Sequence, residues 1–342
     1  MFKKSYLLTC LVTVFLFLAS AVFAAAPSFK GKTIRIIVGY SAGGGYDTYA
    51  RTISRHMGRH IPGNPAIIVE NMTGAGSLIS ANYIYKIAKP DGLTIGHFNG
   101  GLFFNQVLKQ PGIEFDTRKF IFLGAAVKEE CAIAFSKKSG ITSMEKWLAA
   151  EKPVKMGGVA PGAYAPDNVI RLLKVALGLP TQLVSGYKGT AKIRLAVESG
   201  ELAGTTWGWA SMRSTWRKPL ETGDVVVVLQ AVPEPLDGLA NVPLAINYAK
   251  TDEARLLIEA GIHSPSLFAR PFVLPPGTPV PTTQTLRTAL TETLKDPEFI
   301  AEAKKARLDL EPVTHTQLEK AANSIFKMDS AMVAKLTDIL YK

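Results

Sequence analysis

The chain has 342 residues, with 39 Lys and Arg against 28 Asp and Glu, a formal charge of +11. That length suggests two domains with cores large enough to need no disulfide staple. The basic balance favours anionic ligands but not nucleic acid, because the basic residues are scattered and no recognition motif is present.

Lys3 and Lys4 precede an apolar core from Tyr6 to about Leu18, and small residues follow at 19–24. This is the order of a secretory signal peptide over residues 1–24, with cleavage expected after Ala24 and export to the periplasm. An uncleaved membrane anchor is the alternative. No later segment has the roughly 18 consecutive apolar residues of a membrane span. Cys10 would leave with the signal. Cys131 lies in the apolar run 130–135 and is expected to be buried packing.

Ile34 to Val38 reads as a strand and 48–59 as a helix. Between them, Tyr40-Ser-Ala-Gly-Gly-Gly-Tyr-Asp47 leaves the backbone bare. A small anion can then approach main-chain N–H groups and the positive end of the helix dipole. Tyr40, Ser41, Gly43, Gly44, Gly45 and Asp47 are the candidate residues, Asp47 as a cap of the helix. The loop lacks the lysine of a phosphate-binding loop and the spacing of a dinucleotide fingerprint. A carboxylate is the expected anion, and a tight turn without ligand the alternative. Ala66 to Val69 is a second strand, and Thr73, Gly74, Ala75 and Gly76 lead from it into a helix at 78–86. Two such loops at one sheet edge stand where open α/β sheets bind ligands.

Thr94 to Phe98 is a third strand. Thr142 and Glu145 suggest a capping box before a short helix. Val154 to Gly158 is a strand entering a loop with Ala160, Gly162 and Tyr164, followed by a helix from Asn168 to Leu177. Tyr187 and Thr190 precede and open the helix at 190–199. Trp207 and Trp209, two apart, share a face if they lie in a strand. They either stack on a ligand in a cleft or pack internally. Val225 to Gln230 is a continuous apolar run of the buried, parallel kind. Pro271 to Pro281 reads as a connection or crossover. Thr314 and Gln317 open one last helix with an apolar stripe from Leu318 to Ile339. The alternation of strands and helices argues an α/β class with mainly parallel sheets.

Catalytic and metal sites are not expected. His56 and His60 stand at i, i+4 without a His-Glu-x-x-His pattern and read as a surface-facing pair. Glu129-Glu130 reads as charges at an element end. There is no Gly-x-Ser-x-Gly elbow, and no cofactor motif is complete.

Seven segments in order carry a resemblance. They are 36–51, 69–76, 89–94, Gly186-Tyr-Lys-Gly189, 197–201, Asn241-Val-Pro243 and Leu274-Pro-Pro-Gly-Thr-Pro279. In them the chain resembles the Bug family, substrate-binding receptors of tripartite tricarboxylate transporters. The resemblance implies a type II periplasmic binding fold, two α/β lobes with a ligand cleft between them. Lobe one would hold 27–126 and 266–342, and lobe two 127–265. It also implies a bound carboxylate, delivery to membrane permease subunits, a monomer and no catalysis. Ala42 stands where the family has proline, and Thr206-Trp-Gly-Trp-Ala-Ser211 replaces a familiar Phe-Asp-Asn-like segment. A sensory receptor or an exported enzyme on the same scaffold are the alternative functions.

Overall fold

The computed structural model describes residues 27–341; the signal-peptide reading of residues 1–24 lies outside them. In β1 (Thr33–Val38), Ile34 and Ile36 to Val38 are all buried, so both faces of the strand are covered. It pairs in parallel with β2 (Ala66–Asn71) and β3 (Thr94–His97). Beyond β3 the first sheet continues through β10 (Phe272–Leu274), β4 (Ile121–Ala125) and β11 (Val313–Thr314), all in antiparallel pairings. The second sheet has the order β7 (Thr181–Val184), β6 (Val154–Gly157), β8 (Gly204–Gly208), β5 (Cys131–Ser136) and β9 (Val225–Ala231). There β6 pairs in parallel with β7 and β8, while β5 runs antiparallel to β8 and β9. The chain therefore builds most of the first sheet, then the whole second sheet, and returns to complete the first.

The sheets are mixed rather than mainly parallel. β9 is an antiparallel edge strand, contrary to expectation. The helix Arg217–Thr222 and the turn Ala245–Tyr248 lie against it. A continuous apolar run reports cover on both faces, not strand direction. The Pro271–Pro281 stretch is also more than a connection, since it contains β10 between β3 and β4. Pro271 and Pro275 flank this three-residue strand, so neither removes an N–H from its ladder.

Two helix ends differ from the sequence reading. Ser143, not Thr142, is the N-cap of the helix Met144–Leu148, its hydroxyl accepting from the Lys146 N–H. The capping box of Thr314 and Gln317 is present, but its helix stops at Ser324. Asp329 then accepts from the N–H groups of Ala331 and Met332 and starts a separate helix, Ser330–Tyr341. That last helix packs against the helix Val169–Leu177 beside the second sheet, while Tyr341 bonds Gln110 at 3.2 Å beside the first. No helix among the described residues is long and apolar enough to cross a membrane.

His56 and His60 are not a free surface pair. His56 is buried and bonds Glu302 at 2.6 Å, and His60 bonds Asp296 at 2.8 Å. Arg59 lies among them, 3.0 Å from Asp296 and 2.5 Å from Glu298. This network fastens the helix Gly45–Met57 to the helix Pro297–Lys305, and the Arg59 guanidinium fills the space a cation would need. Cys131 is buried with its thiol pushed up by burial, which fits packing.

Candidate functional site: a shut cavity between the two sheets

β1 is followed at once by Gly39, where an added Cβ would lie 2.3 Å from the Ser77 hydroxyl oxygen. The chain then crosses the end of the sheet through Tyr40 to Gly44 and enters the helix Gly45–Met57. Gly43 turns with φ near +77° and gives its N–H to Asp47 at 2.9 Å. Asp47 is itself held by Arg51 and Asn71. Burial opposes its ionisation, but these three donors outweigh it and keep the carboxyl below its ordinary range. Gly44 is an extended N-cap, and no side chain caps the helix. The first N–H groups of a helix have no partner within it.

That helix start faces a cavity of about 20 Å³. Tyr40, Gly44, Gly45, Tyr46, Asn99 and Arg270 wall it from the first sheet's side. Glu129, Val159, Ala165, Pro166, Thr190, Trp207 and Ser211 wall it from the second. Arg270 is 3% exposed. Its Nε donates to Glu129, its Nη2 donates to the Ser211 hydroxyl at 2.6 Å, and its guanidinium lies 4.6 Å over the Tyr46 ring. Its Nη1 has no hydrogen-bond partner. Glu129, 2% exposed, also accepts the Gly208 N–H at 2.8 Å. Trp207 is buried against Trp216, ring centroids 5.1 Å apart, and its Nε1 has no partner. Behind the wall, His97 bonds the Pro271 carbonyl at 3.0 Å. Burial pushes its imidazole down to about 3 despite that bond, so it is neutral.

The loop after β6 forms the far wall because Asp167 folds it. Asp167 accepts from the N–H groups of Val159 at 2.6 Å and Ala160 at 3.2 Å, and from the Ser185 hydroxyl. Burial, against these bonds, raises its carboxyl to about 6. The folded state thus favours the proton. Stability from this group is full below the unfolded value of 3.8 and is lost as pH rises through about 6. Between about pH 4 and pH 7 the loss should be about 2–3 kcal/mol. Urea unfolding of Asp167→Asn across that range should lack this decline; a profile parallel to wild type would refute the assignment.

Direct bonds hold the two sides shut. The Ser41 N–H donates to the Lys188 carbonyl at 3.1 Å, and Arg194 donates to the Gly43 carbonyl at 3.2 Å. Asn99 and Asn105 donate to the Gly162 carbonyl at 3.1 and 2.7 Å. A Cβ on Gly45 would stand 1.8 Å from the Ser211 hydroxyl oxygen.

The candidate residues divide accordingly. Tyr40, Gly44, Gly45, Thr190 and Trp207 line the cavity. Ser41, Gly43, Asp47, Ala160 and Gly162 shape or close its walls through the bonds above. In the second loop, Gly76 turns with φ near +62° and approaches Ala163 across the interface. Thr73 and Gly74 are half-buried and Ala75 is exposed. The hydroxyl of Tyr164 donates to the Ile262 carbonyl, and that of Tyr187 to Glu201. Trp209 does not share a face with Trp207, because β8 ends at Gly208 and Trp209 begins a helix, bonding the Asp237 carbonyl at 3.0 Å. Arg270, Glu129 and Ser211 were missed. An arginine set alone between Phe268-Ala269 and an apolar strand was the available signal.

No family model matches the chain. A UPF0065 protein of Bordetella bronchiseptica is 27% identical over 163 residues, 47% of this chain; the match spans about half of that relative (48%). A UPF0065 protein of Agrobacterium vitis is 27% identical over 319 residues, 91% of this chain and 85% of the relative. Among solved structures, the periplasmic binding protein BugD aligns with a TM-score of 0.72 at 17% identity, over 90% of this chain and 97% of that one. MatC from Rhodopseudomonas palustris with bound malate gives 0.69 at 18%, over 90% and 98%. An R. palustris protein with adipate gives 0.70 at 18%, over 90% and 97%. These structures show the fold, the periplasmic binding architecture of two mixed α/β sheets. The chain is thus similar in fold to BugD and other periplasmic binding proteins, and similar in sequence to UPF0065 proteins, the likeness that the ordered motifs led one to expect.

Proposed function

We propose that the protein is an exported receptor that captures a small carboxylate between its two halves and delivers it to a tripartite tricarboxylate-type membrane transporter. One observation carries this reading. An uncapped helix start and a buried guanidinium with a free Nη1 converge on a single cavity. A helix start contributes about 0.3–1 kcal/mol toward an anion, and a hydrogen bond to a charged group about 1.5–3 kcal/mol. A few such bonds reach the roughly 8 kcal/mol of a micromolar site. The folds solved with malate and with adipate support the same ligand class.

A cavity of about 20 Å³ has room for about one water, so a ligand enters only when the halves part. Residues 27–126 and 266–342 would form one lobe and 127–265 the other, closing again over the ligand. In the lining, the Glu129 carboxylate is engaged by Arg270 and the Gly208 N–H, and the Ser211 hydroxyl by Arg270, which favours binding without turnover.

A thermal-shift panel of mono-, di-, tri- and aromatic carboxylates on the exported protein tests the reading. A ligand bound only by the folded state raises Tm with its concentration, and it should be recovered unchanged. A flat response across the panel, in protein free of co-purified ligand, would sink the proposal. Loss of uptake of the bound acid on gene deletion would test delivery.

A further inference from the structure

The unmet bonding capacity of the cavity is one-sided. Arg270 Nη1 and Trp207 Nε1 are buried without partners, and both groups only donate. Among the described lining residues, no buried side-chain acceptor is left unmatched. The charge is also closed. Arg270 and Glu129 are the charged groups of the described lining, and they pair with each other. Asp47, behind the loop, is matched by Arg51. One ligand carboxylate therefore enters a neutral cavity with donors waiting for it. A second carboxylate in the same enclosed space would meet no cation, and a buried charge without a partner is costly. The rest of the wall is largely aromatic or apolar, including Tyr46, Val159 and Pro166.

Resting on the carboxylate-receptor reading above, we infer that the site selects singly charged carboxylates with an apolar or aromatic body over di- and tricarboxylates. One carboxylate oxygen accepts from Arg270 Nη1 and the other from Trp207 Nε1. The body lies against the aromatic wall. Glu129 does not touch the ligand. It aims the guanidinium through Nε and cancels its charge, which makes it a positioning residue that sets selectivity.

Calorimetric titration of the exported protein with two matched pairs, hexanoate against adipate and benzoate against terephthalate, tests this at about pH 8, where every carboxylate is ionised. The singly charged member of at least one pair should bind about tenfold tighter or more than its diacid. Glu129→Gln keeps an acceptor oxygen but removes the resident charge, and should move that ratio about tenfold toward the diacid. A merely structural Glu129 would weaken both acids alike and leave the ratio fixed. Trp207→Phe keeps a ring and removes the donor, and should weaken the monoacid about fivefold to tenfold. If Glu129→Gln does not fold, the wild-type ratios and Trp207→Phe decide. Diacids binding as well as or better than their partners would overturn the inference and leave the carboxylate reading standing. No response to these four acids or to the wider panel would remove both.

Discussion

Replacing Arg270 by Leu should abolish carboxylate binding and destabilise the protein by about 3–5 kcal/mol, the range for removing one partner of a buried ion pair. Glu129 would be left with a charge that water cannot reach, since it is 2% exposed and keeps only the Gly208 N–H as a partner. Ser211 and the faces of Tyr46 and Tyr49 would also lose the guanidinium they now adjoin. Removing both charges, as in Arg270→Leu with Glu129→Leu, should recover much of the stability, because replacing a whole buried pair by apolar groups is often neutral. It should not recover binding. Urea unfolding and titration of the two variants separate these effects. Wild-type affinity in a folded Arg270→Leu protein would show that Arg270 is not the anchor.

Gly45→Val should cut affinity by about a hundredfold or more, about 2.7 kcal/mol, while leaving the far-UV signal of each half in place. The added Cβ would stand 1.8 Å from the Ser211 hydroxyl oxygen and 2.5 Å from its Cβ. Gly45 begins a helix beside the first sheet, and Ser211 lies in a helix at the end of β8 in the second. The clash is thus between halves and not within one, so it blocks closure more than folding. Small-angle scattering should report a more extended protein that ligand no longer compacts. The neighbouring Gly44→Val is milder, since its Cβ would stand 3.0 Å from the Thr190 hydroxyl oxygen and not 1.8 Å from a neighbour as at Gly45. Equal affinity for wild type and Gly45→Val would mean that this close approach is dispensable.

The first wall of the site was legible because its information is local. A strand, three glycines and a helix within 25 residues define Tyr40, Gly44 and Gly45, and no distant partner is needed to see them. The ionic centre was not legible in that way. Glu129 and Arg270 are 141 residues apart. One lies in a connection between strands and the other just before a proline-rich stretch, positions where charges are usually solvated. The tryptophan argument failed for a different reason. Period-two reasoning holds only while the strand lasts, and β8 stops at Gly208 between the two rings. The apolar run of β9 showed cover but not direction, and only the pairing with β5 settles that. The seven ordered motifs reached the two-halved architecture where periodicity alone would have left a generic α/β chain.

The place of the Arg270–Glu129 pair in the covalent chain has a kinetic consequence. The backbone passes between the sheets after β4 and again before β10, and the two residues sit on those two passages. The Glu129 N–H also donates to the Ser266 carbonyl at 3.0 Å, tying one passage to the other. The pair therefore lies at the axis of any opening, where displacement is least, and not on the rims that swing apart. Once the halves part, an arriving acid would meet a guanidinium that Glu129 has already aimed. Capture by the open form should run near the ordinary encounter rate, whereas escape from the closed form must wait for the rims to separate again. On this geometry, good and poor ligands would differ less in how quickly they are caught than in how long they stay.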